Sequence, residues 1–215
     1  MKKNNSQNKP YYTQRNNKLK PNGACNVTAM IAALSAACWS VEKLATKEYD
    51  QPEDALMHFI LSDKDVDRFW RKVDPIGHYP PNEWHQVLAY GTNLYLKKCG
   101  LLAPADDAVI WREDRKLRDV IKALDDGGAA VLSGVFEAEG GKSIGHVVAC
   151  VGYKKDDDGN ATHLIIDDSW GDYHTKYADH NGNDVEMSVE DFRALIRSCN
   201  QDYKMAHLVK RTVNI

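Results

Sequence analysis

The chain has 215 residues, 43% of them hydrophobic and 27% charged, enough to fill one globular core and cramped for two. A formal net charge of -3 and a pI near 6.2 remove any general electrostatic reason to approach nucleic acid or an anionic membrane. The five cysteines are odd in number and contain no C-x-x-C pair, which excludes the common zinc and redox spacings and favours a reducing compartment of synthesis.

The first ten residues, "MKKNNSQNKP", are polar and lack the apolar centre of a secretory signal, so residues 1–10 are expected to form a flexible tail before a single domain at 11–215. This predicts cytoplasmic synthesis without a signal peptide. The apolar run at 27–39, "VTAMIAALSAACW", is too short for a membrane: thirteen residues rising about 1.5 Å each fall short of a hydrocarbon layer of about 30 Å. It reads as a buried core helix.

Helices are predicted over 26–47, 52–61, 64–72 and 81–100, the last starting at Pro81 and Asn82 and stopping at Gly100, and another over 114–125. After Gly128 the pattern changes to strands at 129–137, 145–155 and 162–170, the last two joined by a hairpin turn at Asp158-Gly159. A helical front followed by an antiparallel sheet is an α+β arrangement.

Within this outline "PNGACNVTAM" places Cys25 after a turn and at a helix start, where the positive end of the helix dipole favours a thiolate. Cysteine catalysis also needs a histidine to take and return the proton and a group to orient that histidine. His146 follows the glycine-rich "EAEGGKSIG", and the hairpin brings residues 167 and 168 toward it. Asp167 and Asp168 both qualify, but alternation along a strand turns them to opposite faces, so only one can orient the ring.

"YYTQRNNKLKPNGACNVTAM", "GHVVACVGY" and "IIDDSWGDYHTKY" together resemble the papain-like cysteine peptidases related to bacteriocin-processing, double-glycine leader peptidases, in their soluble phage and bacterial branch. The likeness runs from about residue 11 to 192 and implies the papain-like peptidase fold, with the helical N-terminal half packed on a C-terminal antiparallel sheet. It implies Gln14 as the oxyanion-hole side chain, Cys25 as nucleophile, His146 as general base and acid, and Asp168 as the orienting residue. The chain departs from the family pattern at Ser169, where proline is usual, and at Asn26, where leader peptidases have glycine. The histidine follows the cysteine by about 120 residues, later than in the amidase-type wall hydrolases that also resemble papain.

The remaining candidates have ordinary readings. Cys150 shares the face of His146 at i+4 and is expected to be core, as are Cys38, Cys99 and Cys199. The loop "DDDGNATHLIID" imitates a calcium loop, but Ala161 stands where its sharp turn wants glycine, so a hairpin turn is expected. No histidine spacing suits a metal, and no cofactor is implied. Trp70, Tyr79 and Trp84 lie near loops of the segment that shapes the cleft in papain-like folds.

The expected function is peptide-bond hydrolysis by a Cys-His-Asp mechanism. The resemblance favours a phage-type endolysin that cuts the stem or cross-bridge peptides of peptidoglycan and is released to the cell wall at lysis, without nucleic-acid or membrane partners. An intracellular processing protease and a catalytically silent peptide-binding domain are the alternatives.

Overall fold

The structure, a computed structural model, describes residues 1–198 in full, the backbone of 199 and 200, and residues 203–212. In chain order the elements are β1 (Lys2–Asn4), α1 (Cys25–Ala36), α2 (Pro52–Ser62), α3 (Lys64–Val73), α4 (His85–Lys98), β2 (Val109–Arg115), α5 (Leu117–Asp125) and β3 (Ala129–Ala138). There follow β4 (Lys142–Lys155), β5 (Ala161–Asp167), β6 (Val185–Ser188), α6 (Val189–Leu195), β7 (Ser198–Asn200) and β8 (Tyr203–Val209). Among the described residues the strands form one eight-stranded antiparallel sheet with a main path β2-β8-β3-β4-β5-β6. The fold is α+β.

Both faces of the sheet are covered. Val131, Val147, Ala149, Val151 and Ile165 face a core shared with α1, α2 and α4, while Leu132, Val148, Cys150 and Ile166 face a second core under α5 and α6. That is why "HVVACV" is an unbroken apolar run, since a strand buried on both sides has no polar face. Helix α1 is buried in the same way: every residue after Cys25 is inside, as expected of a helix that is apolar on all sides. No helix among the described residues is long and apolar enough to cross a membrane.

Three expectations need correction. Residues 1–10 are not simply a tail, because Lys2–Asn4 pair with Gly152–Lys154 along an edge of β4 that β3 leaves open beyond Cys150. Gly152 permits this, since a Cβ there would lie 2.3 Å from the Lys3 carbonyl.

Helix α1 ends at Ala36 rather than near 47. Cys38 adopts φ 65°, its N–H bonds the Ser35 carbonyl, and the Trp39 N–H bonds Leu34. This is the Schellman stop with cysteine where glycine is usual, and it leaves Cys38 exposed. Cys99 is only half-buried, at the end of α4. The core reading thus holds for Cys150, holds in part for Cys99, which packs against the first core, and fails for Cys38; the Cys199 side chain lies outside the described residues.

The third correction concerns 109–115, which pairs with β8 as β2, so that only 117–125 is helical. Strands β6, β7 and β8 carry no local signal strong enough to predict, whereas the short helix α6 has one that the sequence reading missed, the Ser188 cap with Glu190 and Asp191 in its first turn.

Candidate active site

Cys25 is the first residue of α1, after the 3-10 turn Pro21–Gly23. In the first turn only Val27 has its N–H satisfied by a side chain, Asn26 Oδ1 at 2.8 Å. The Cys25 N–H has no intrahelical acceptor, and the thiol sits at the positive pole of a 12-residue helix. Asn26 has a second contact, because its Nδ2 donates to the Asn82 carbonyl across the cleft. That bond is unavailable to a glycine.

His146 lies inside β4, opposite Gly134 of β3, rather than at the start of the strand. It is buried, with ring edges of Phe136 and Tyr177 at centroid distances of 5.6 and 5.8 Å. Its Nε2 bonds Asp168 Oδ1 at 2.6 Å. That choice of nitrogen leaves Nδ1 for the thiol, and Cys25 is a hydrogen-bond partner of the ring. Burial by itself would lower the His146 pKa; the Asp168 charge and hydrogen bond, helped by Cys25, outweigh it and raise the value to about 10.

The two aspartates separate as strand alternation requires. Asp167 pairs with Ala149 at the end of β5 and accepts the Asp184 N–H at 3.1 Å, whereas Asp168 is the residue against His146. The Trp170 N–H also reaches Asp168 Oδ1, at 3.0 Å. Asp168 Oδ2 is buried without a hydrogen bond in good geometry, and so is the Tyr177 hydroxyl beside it. Burial and then the Asp168 charge hold that phenol far above its usual range. Tyr177 takes φ 68°, uncommon for a large side chain, and no sequence signal marks it.

Gln14 is drawn in by its neighbours. The Tyr11 hydroxyl donates to the Asp168 carbonyl, Thr13 Oγ1 and the Gln14 N–H both donate to the Ser169 carbonyl, and Arg15 Nε donates to the Trp170 carbonyl. The Arg15 guanidinium also covers the Trp170 ring at 4.1 Å. The buried Gln14 carboxamide accepts from Ser169 Oγ and donates to the Pro21 carbonyl, both at 2.8 Å. Ser169, the departure from proline, therefore anchors Gln14. Gln14 stands next to the Asp168 segment without itself lining the cleft.

The cleft, about 490 Å³, is lined by Cys25, Asn26 and His146 together with Tyr79, Trp84 and Arg197 among others. Trp70 stands behind it and donates to the Tyr79 carbonyl at 3.1 Å. Buried Asp74 braces this wall by accepting from Trp84 Nε1 at 2.8 Å and from the Tyr79 N–H at 3.2 Å. Cys150 is fully buried, and desolvation pushes its thiol up to about 12. At 156–160 the Asn160 N–H bonds Asp156 Oδ1 at 2.8 Å in a turn completed by Gly159 at φ 83°.

No curated protein matches the chain. The model of the Peptidase_C39 like family matches residues 6–194. Most of the chain lies within that match, including Gln14, Cys25, His146 and Asp168, and the chain therefore belongs to the Peptidase_C39 like family, a relative of the papain-like cysteine peptidases.

Proposed function

We propose that the protein hydrolyses peptide bonds with Cys25 as nucleophile, His146 as general base and acid, and Asp168 as the residue that orients the ring. The observation that carries this reading is the buried 2.6 Å bond from His146 Nε2 to Asp168, which fixes the ring with Nδ1 free for a thiol at a helix N-terminus. In the resting pair the thiol's proton is held on His146 Nδ1, and the Cys25 thiolate adds to the substrate carbonyl carbon. The oxyanion is met by the Cys25 N–H; Gln14, which the family likeness implies as the second donor, joins it when its carboxamide turns from Ser169 and Pro21 toward the cleft. His146 then protonates the leaving amine as the C–N bond breaks, leaving a thioester. Water, giving its proton to Nδ1, attacks the thioester, and the carboxylate product leaves as the thiolate is restored.

A thiol paired with histidine remains nucleophilic well below the ordinary thiol pKa of about 8.5. The test is alkylation at pH 6 with the labelled cysteine identified by mass spectrometry, alongside peptide hydrolysis by wild type and Cys25→Ala. Cys25 labelling far ahead of exposed Cys38 is expected, with hydrolysis lost in the variant. Uniform labelling, or full activity in Cys25→Ala, overturns the reading.

The finer assignment, cleavage of peptidoglycan stem or cross-bridge peptides by a phage-type endolysin, is supported by the likeness to the soluble phage and bacterial branch. Digestion of purified sacculi tests it. New amino termini released by wild type and not by Cys25→Ala are expected; cleavage of protein substrates alone would favour an intracellular processing protease.

A further inference from the structure

The geometry points to Arg197 as the subsite that binds a carboxylate of the substrate, so that the cleft selects an acidic peptide group beside the bond it cuts. This rests on the peptidase reading and adds the substrate's chemical class to it.

Arg197 lines the cleft on the side of β4. Its guanidinium lies against Gly145, the residue before His146: a Cβ on Gly145 would stand 3.1 Å from an Arg197 terminal nitrogen. Gly145 does not take a positive φ, so backbone conformation does not demand glycine there. What glycine supplies is a flat seat for the guanidinium.

The backbone that carries Arg197 is fixed on both sides. Its N–H bonds the Ser133 carbonyl at 2.8 Å, and its carbonyl accepts the Met205 N–H at 3.2 Å. The adjoining Ile196 carbonyl accepts Lys204 Nζ at 2.9 Å, and the same buried ammonium bonds the Arg193 carbonyl at 2.7 Å, closing the end of α6. A buried lysine that holds two carbonyls and lies over the Phe192 ring costs desolvation, and what it secures is the end of α6 and the residue that follows.

The charge itself is uncompensated among the described residues. Among the described residues the Arg197 side chain has no ion pair, while the acid of the opposite wall, Glu83, is engaged by Lys20 at 3.0 Å. The nearby His85 ring is driven down to about 4 by burial and then by the Arg197 charge, so at neutral pH it neither adds charge nor offsets any. A planar, permanently charged fork in a cleft that takes peptides, with no carboxylate paired to it among the described residues, matches a substrate carboxylate in geometry and charge.

The test uses thiol-directed peptidyl vinyl sulfones that differ only in carrying glutamate or glutamine at each of three positions before the warhead, with Cys25 labelling rates read by mass spectrometry. A pair of epoxysuccinyl probes, free acid and amide, distinguishes a chain-terminal carboxylate from a side chain. Wild type is expected to label faster with the acid at one position, by about tenfold for one charged hydrogen-bonded contact. That ratio should fall to about one in Arg197→Gln and persist in part in Arg197→Lys. General damage to a variant cancels in the ratio.

A wild type indifferent to charge at every position, or a preference that survives Arg197→Gln, overturns the proposal and leaves the peptidase reading standing. Failure of every probe to label Cys25 ahead of Cys38 overturns both.

Discussion

His146 is basic chiefly because of Asp168, with a smaller contribution from Cys25. Burial opposes its charge and Asp168 reverses that effect, so the imidazolium persists to about pH 10. Since the folded pKa is raised, the pair's contribution to stability is complete below the unfolded value of about 6.5 and is lost as pH rises through the folded one. Asp168→Asn removes the charge while keeping an acceptor. The alkaline limb of the pH-rate profile, where the acid that protonates the leaving amine is lost, is expected to move down by at least about one pH unit. An unmoved limb would mean that Asp168 does not set the His146 charge.

At this scale the sequence exposed the residue types and hid their roles. Cys25 and His146 each stand beside turn residues that mark them. Strand alternation left Asp167 and Asp168 both open and the family likeness implied Asp168, while the Arg15–Trp170 contact joins residues far apart in the chain and Tyr177 carries no local mark.

Among the elements, the segment between α3 and α4 forms one wall of the cleft, and its conformation depends on Asp74. Burial would raise that carboxyl, but bonds from Trp84, His78 and Tyr79 prevail and lower it to about 2, so its stabilising effect is present above the usual carboxylate range and lost as pH falls through about 2. Asp74→Asn at neutral pH is expected to free the edge-to-face Tyr79–Trp84 pair. Hydrogen exchange over 75–84 should accelerate by about tenfold or more while α1 remains protected. Unchanged exchange there would show that the wall holds without the carboxylate.

Helices α2 and α3 were legible because each opens on a local start signal, Pro52 at the first turn of α2 and the Asp63 cap of α3. Asp63 caps α3 through the Asp65 and Val66 N–H groups. Strands β2 and β8 were not, because each is held by a partner about a hundred residues away, and local propensity carries no record of such a partner.

In the whole molecule, two buried acids make stability depend on pH. Burial raises Glu53 and Asp167 to about 7 each. Both are 3% exposed, and among the described residues Glu53 Oε2 has no hydrogen-bond partner. The native state therefore keeps protons that the unfolded chain releases near pH 4, and stability falls as pH rises from there through about 7. A shift of this size is worth on the order of 3 kcal/mol per group. Urea midpoints at pH 5.5 and 8.5 check this: wild type should be less stable at 8.5, and Glu53→Gln should show a smaller decline. An equal decline in both proteins would mean that Glu53 is ionised at little cost.

The sequence by itself determined the fold class, the helix that carries the thiol, the hairpin between β4 and β5, and the residue types of the site, because capping, periodicity and turn chemistry act within a few residues. Only the tertiary structure decided that residues 2–4 complete the sheet, that Gln14 is held by Ser169, and that Arg197 faces the cleft with Gly145 as its seat. Each of these depends on groups brought together across the chain by register and burial, and neither quantity is a local property of the residues involved.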